Sequence, residues 1–191
     1  MGYISAEGWL NAVMCVPSPN CSERPAGQAV DLLVIHGISL PAGEFGGPEI
    51  EALFTNKINI HAHPDFKELE GLKVSAHLLI RRDGQIIQFV PFTKCAWHAG
   101  KSSFNGRACC NDFSIGIELE GVDDQPYDDR QYSVLVDVIK VLQKSYPDIS
   151  TGNIVGHNDI APGRKTDPGA AFDWLRLKSS IKPKLLSLRR N

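Results

Sequence analysis

The chain has 191 residues, 42% hydrophobic and 22% charged, and its 20 lysines and arginines nearly balance 22 aspartates and glutamates for a net charge of −2. That length suits one domain with a sizeable core, and the composition excludes disorder and fibrous repeats. No basic run is long enough to track a phosphate backbone and no apolar stretch approaches the ~20 residues of a bilayer span, so neither nucleic acid nor membrane is an expected partner.

The N-terminal MGYISAEGWLNAVMC lacks the basic start and apolar core of a secretory signal, which predicts a cytoplasmic protein. Cys15, Cys21, Cys95, Cys109 and Cys110 are odd in number, include a vicinal pair and show no Cys-x-x-Cys spacing. Free thiols fit that pattern better than a disulfide framework or a thiolate zinc site.

In chain order, DLLVIHGIS (31–39) reads as a strand buried on both faces, with His36 near its end. Leu40 to Gly47 has loop composition, and Pro48 to Lys57 reads as a short helix. SAHLLIRR (75–82) and QIIQFVPF (85–92) flank Asp83-Gly84, which predicts a hairpin closed by a two-residue type I′ turn. Trp97 to Asp112 has loop composition. SIGIELE (114–120) alternates isoleucines and leucine with Gly116, Glu118 and Glu120, so one face is apolar and the other carries two carboxylates.

Asp128 to Tyr146 has the strongest helical signal: Tyr132, Leu135, Val136, Ile139, Leu142 and Tyr146 recur at helical spacing, Asp128 can cap the start, and Pro147 stops it. NIVGH (153–157) is a short strand and Ala171 to Ile181 a further helix. Interleaved strands and helices with one hairpin predict an α/β fold: a single domain over 1–191, core about 8–181, with a mixed central β-sheet flanked by α-helices.

Chemistry concentrates on a few residues. His36 and His157 both end strand-like runs, where α/β sheets open into ligand sites, and Asp167 follows His157 in the turn-rich GHNDIAPGRKTDPG. Two imidazoles and a carboxylate are a sufficient catalytic zinc set, although such scattered triples also occur in proteins that bind no metal. Lys165, two residues before Asp167, is either a solvated loop lysine or a cation beside an oxyanion. Glu118 and Glu120 are either the wet face of an edge strand or a source of acid–base chemistry. Glu118, between Ile117 and Leu119, is the one whose burial would raise its pKa.

The other histidines divide differently. His77, on a hairpin strand, is more simply structural, and His61 and His63 form either a metal pair or an exposed loop. Trp97 and His98 in AWHAG suit the lining of a substrate groove, with Trp97 stacking on a sugar face or anchoring the core. Cys109 or Cys110 paired with a histidine is the metal-free alternative for a nucleophile.

LLVIHGISLPAGEFGGP, VSAHLLIRRDGQIIQFVPF, AWHAG, CNDFSIGIELEG, GHNDIAPGRKTDPG and FDW occur in this order from about Gly8 to Trp174 and together resemble the AmpD family of 1,6-anhydro-N-acetylmuramyl-L-alanine amidases. The resemblance implies a cytosolic, monomeric zinc amidase of peptidoglycan recycling, with a fold shared by phage amidases and peptidoglycan recognition proteins. It implies one Zn2+ held by His36, His157 and Asp167, with Glu118 as acid/base and Lys165 stabilising the oxyanion. The implied substrate is an anhydromuropeptide, cut between the lactyl group of anhydro-N-acetylmuramic acid and L-alanine. A murein amidase acting on intact wall and a non-catalytic muropeptide-binding module are the alternatives. Gly37 stands where the family usually has asparagine, and Lys73 and Cys109 stand where it often has arginines for a stem-peptide carboxylate. Lys73 and the nearby Arg107 are therefore the expected replacements in substrate binding.

Overall fold

The computed structural model describes residues 2–182. Short strands β1 (Met14–Cys15) and β2 (Cys21–Glu23) precede β3 (Leu32–Ile38), which leads to helix α1 (Glu49–Phe54). A 3-10 helix over Pro64–Leu69 is followed by β4 (Leu78–Ile80), β5 (Ile86–Gln88), β6 (Lys94–Ala96) and the small pair β7 (Ser103–Phe104) and β8 (Arg107–Ala108). The remaining strands and α-helices of the described residues are β9 (Ser114–Glu120), α2 (Asp129–Ser145), β10 (Ile154–Gly156), α3 (His157–Ile160) and α4 (Trp174–Ile181).

Six strands form one mixed sheet in the order β1-β5-β4-β9-β3-β10, in which β4, β9, β3 and β10 are mutually parallel and β5 runs against β4. The predicted α/β architecture is therefore the observed one. Strands β9 and β3 are central, which explains the unbroken apolar run Leu32–Ile35 of β3: parallel strands covered on both faces read as continuous apolar runs. Leu33, Ile35, Ile115, Ile117 and Leu119 face a core completed by Tyr132, Leu135, Val138 and Ile139 of α2 and by Leu177 and Ile181 of α4. On the opposite side Leu32 and Val34 pack with Ala99, Cys110, Phe113 and Ile160.

Helix α2 begins as its sequence requires. Asp128 accepts from the Arg130 N–H at 2.9 Å while the Gln131 side chain returns to the Asp128 N–H at 2.9 Å, a capping box that satisfies two otherwise free donors. Gln131 is fully buried and its amide also donates to the Ile80 and Glu120 carbonyls, tying the helix to β4 and β9.

Three local expectations change. The hairpin turn is not type I′: the Gly84 N–H bonds back to the Arg81 carbonyl, and only Gly84, at φ 88°, is left-handed. That is a type I turn followed by a glycine bulge, a three-residue loop that keeps Asp83 at negative φ. Strand β9 is no edge strand, and all seven of its residues are buried. Helix α4 starts three residues later than the apolar pattern predicts, because Asp173 caps it by accepting from the Arg176 N–H.

Candidate active site

Parallel strands deliver their carboxyl ends to one edge of the sheet, and the loops leaving that edge meet there. His36 is the fifth residue of β3 and the register partner of Glu118 on β9, so both side chains project from the same face. His157 follows β10 directly. The strand stops at Gly156 because the Asp159 carboxylate takes the Gly156 N–H at 2.8 Å and starts α3. The loop after α3 returns through Gly163, whose φ of 74° a side chain would resist, and closes with the Asn158 N–H donating to the Asp167 carbonyl at 3.0 Å.

That return places Asp167 beside both imidazoles. His36 Nδ1 lies 3.0 Å from His157 Nδ1 and 3.2 Å from Asp167 Oδ2, and His157 Nδ1 is 3.0 Å from the same oxygen. The three groups form a candidate metal cluster. Ligands ~2.0–2.2 Å from a tetrahedral zinc are separated by roughly 3.3 Å, close to these distances.

The donor chemistry fits as well. His157 Nε2 faces the Ala99 carbonyl at 3.3 Å, where it can only donate, and the Arg164 guanidinium at 3.5 Å, where it can only accept; the nearer carbonyl favours the tautomer that leaves the lone pair on Nδ1. That lone pair points at a carboxylate oxygen, a contact between two acceptors that a cation relieves. Burial lowers the His36 pKa to about 4, keeping its ring neutral and available as a ligand.

Glu118 completes the centre. It is 8% exposed, its Oε1 lies 3.9 Å from His36 Nδ1, and its Oε2 is buried without a hydrogen-bond partner. Burial first, and the Asp167 charge second, push its pKa well above the ordinary value, while the positive charge of Lys165 opposes the rise. Lys165 is otherwise exposed on the return loop. Glu120, on the same face of β9, does different work: Arg81 holds it at 3.1 Å and the Gly46 and Arg82 N–H groups donate to it, anchoring the 40–47 loop.

The predicted substrate contacts scatter. His98 lines no groove: it lies behind His36, with Nδ1 2.9 Å from His36 Nε2 and Nε2 3.0 Å from Ser114 Oγ, and is 8% exposed. Arg107 is engaged at the start of β3. The β7–β8 pair turns it back to bond Asp31 at 2.8 Å and stack on Phe113, and Asp31 precedes β3, some five residues or roughly 16 Å before His36. Trp97 is half-buried and its indole N–H reaches Ser22 Oγ at 3.3 Å, while Lys73 is exposed. His63 caps the 3-10 helix by accepting from the Asp65 N–H, and His61 is exposed.

His77 is structural as expected. Its Nδ1 accepts from the Gly116 N–H, its Nε2 meets the Lys94 carbonyl, and burial pushes its pKa down to about 3. The thiol alternative loses its chemistry, since the four buried histidines engage one another, Asp167, Ser114, arginines and backbone, and burial raises the Cys110 thiol. Two participants escaped sequence reasoning. Tyr127, 5% exposed, donates from its hydroxyl to the Pro168 carbonyl beside Asp167, and Asn111 accepts from the His98 and Ala99 N–H groups. The signal for close packing was Gly116, a glycine inside a buried strand.

Two imidazoles, a carboxylate and a buried glutamate thus meet at the carboxyl edge of a mixed sheet, and the class of protein follows from the family this arrangement sits in. Residues 26–170 match the family model for N-acetylmuramoyl-L-alanine amidase, and the chain belongs to that family. It is 59% identical over 172 residues to the 1,6-anhydro-N-acetylmuramyl-L-alanine amidase AmpD of Escherichia coli K12, covering 90% of this chain and 93% of that protein. The AmpD of Haemophilus influenzae is 50% identical over 92% of this chain and 96% of its own length. A crystal structure of a selenomethionine AmpD derivative superposes with a TM-score of 0.90 at 55% identity, covering 94% of this chain and 99% of that one. AmpDh3 of Pseudomonas aeruginosa, solved with an anhydromuramic pentapeptide, superposes at 0.61 with 29% identity over 83% of this chain and 62% of its own.

Proposed function

We propose that this chain hydrolyses the amide joining the lactyl group of 1,6-anhydro-N-acetylmuramic acid to L-alanine of a stem peptide, with His36, His157 and Asp167 holding one zinc ion. The observation that carries the reading is the buried, unpartnered Glu118 Oε2 beside a three-donor cluster. A zinc ion held there supplies Lewis acidity, acidifying water and polarising a carbonyl.

The chain's own residues do the rest. Glu118 takes a proton at Oε2 from the attacking water and returns it to the departing amide nitrogen, so a carboxylate and an amine leave. Its raised proton affinity suits a group that must both accept and release near neutral pH. Lys165 places its ammonium against the negative oxygen of the tetrahedral intermediate. Burial around His36 and His157 excludes bulk water and strengthens both effects.

The anhydro sugar named for the AmpD relatives is a soluble fragment, and a cytosolic enzyme of peptidoglycan recycling goes with that substrate. Among the described residues no helix is long and apolar enough to cross a membrane. The test measures metal content and turnover on one preparation, with anhydromuropeptide and intact sacculi as substrates and mass spectrometry of the products. Stoichiometric zinc, loss of turnover on chelation and preference for the anhydromuropeptide are expected. Undiminished turnover without metal overturns the metal assignment, preference for sacculi overturns the substrate, and zinc-dependent binding without cleavage identifies a recognition module.

A further inference from the structure

Both proposed zinc histidines lean on one dipeptide. His36 Nε2 meets the side chain of His98 at 2.9 Å, and His157 Nε2 meets the backbone carbonyl of the next residue, Ala99, at 3.3 Å. Each histidine therefore directs its second ring nitrogen to neighbouring points of a single segment, and each is left with Nδ1 facing Asp167.

That segment is clamped. The His98 and Ala99 N–H groups converge on the Asn111 side chain at 3.2 and 2.8 Å, and two donors converging on one amide atom identify it as the oxygen. Asn111 sits in a short 3-10 turn (Cys110–Asp112) fastened from outside, where the Arg24 guanidinium donates to the Asn111 and Asp112 carbonyls at 3.2 and 2.9 Å. The His98 ring is confined as well: Ser114 Oγ meets its far nitrogen, and a Cβ on Gly116 would lie 2.4 Å from its Cγ.

We propose that Asn111 and His98 are positioning residues for the metal centre: Asn111 fixes the His98–Ala99 segment, and that segment orients both imidazoles with Nδ1 toward the metal. The proposal rests on the metal assignment above. Partners of this kind set ring orientation and ligand basicity, and losing one typically costs 10–100-fold in metal affinity. The Asn111 side chain hydrogen-bonds to the segment and to none of the three ligands, so its effect on the metal passes through the segment.

The experiment measures zinc affinity by chelator competition, and the protected Hε2 resonances of His36 and His157 in the zinc-loaded protein, with circular dichroism verifying the fold. Asn111→Leu is expected to weaken zinc binding 10–100-fold and to speed exchange of both Hε2 protons. Asn111→Asp, which keeps the accepting oxygen, is expected to restore both. His98→Phe keeps an aromatic ring but removes the ring nitrogen that faces His36 Nε2, so it should weaken zinc binding and expose the His36 proton alone. Wild-type affinity in folded Asn111→Leu, or unchanged His36 exchange in His98→Phe, overturns the positioning role. Failure of the wild-type protein to bind zinc overturns the metal assignment instead.

Discussion

His36 and Glu118 are register partners on neighbouring parallel strands, and their Nδ1 and Oε1 atoms lie 3.9 Å apart while Glu118 Oε2 meets no donor. A buried carboxyl left unpaired is expensive to ionise, and such costs collect where chemistry needs them. Removing its acid–base role with Glu118→Gln should reduce turnover about 10²–10⁴-fold. The same substitution should raise the melting temperature of the metal-free protein at pH 7. The folded state binds the Glu118 proton more tightly than the unfolded chain, so this residue costs stability as pH rises above its ordinary value of 4.5. The gain should therefore shrink as pH falls toward 4.5. A lower melting temperature at pH 7 would contradict this account.

The buried imidazoles act with the opposite sign. Burial holds His36 at about 4 and His77 at about 3, against an ordinary 6.5. Below pH 6.5 the unfolded chain takes up protons that the folded state refuses, so their contribution is intact above 6.5 and is lost as pH falls toward 4. Urea unfolding of metal-free Glu118→Gln, in which the compensating carboxyl is gone, should show stability declining steadily through that window. A flat profile between pH 6.5 and 4.5 would sink the assignment of neutral rings.

Glu118 and Glu120 show how much of the site was legible. Their shared face followed from the two-residue period of a strand, and His36, His157 and Asp167 were found as candidates because strand ends and a turn-rich loop are visible locally. Their different tasks depend on neighbours distant in sequence: Arg81, Gly46 and Arg82 for Glu120, Asp167 and Lys165 for Glu118. The surroundings of Arg107 and His98 likewise come from distant neighbours, Asp31 and Phe113 for Arg107 and His36 and Ser114 for His98, which closeness to Cys109 or to Trp97 in the chain does not reveal. Asn111 was unreadable because its function is made by two backbone donors.

Glu120 should behave as a structural ion. Its side chain is 2% exposed and that of Arg81 9%, so Glu120→Ala strands a buried guanidinium with only Glu51 at 2.7 Å to balance it. Breaking a buried pair typically costs about 3–5 kcal/mol, with the remaining Glu51 contact favouring the lower end. Chemical denaturation should show that loss, while zinc affinity of the folded protein stays close to wild type. Zinc loss comparable to that of Asp167→Ala would assign Glu120 to the metal centre.

Gly37 gives the sharpest test of how the return loop is held. A Cβ there would lie 2.3 Å from the Tyr127 hydroxyl, which donates to the Pro168 carbonyl at 2.9 Å next to Asp167. Tyr127→Phe removes one buried hydrogen bond and should cost about 1 kcal/mol. Gly37→Ala forces the tyrosine ring against packing that includes Gly121 and Phe172, and overpacking of this kind costs about 1–3 kcal/mol. Because both changes act through the same hydroxyl, the double variant should be less destabilised than the sum of the singles: with the oxygen gone, the new methyl gains room. Urea unfolding of the four proteins measures that coupling. Strict additivity would separate Gly37 from Tyr127 and leave the Asp167 loop held by its own backbone bonds.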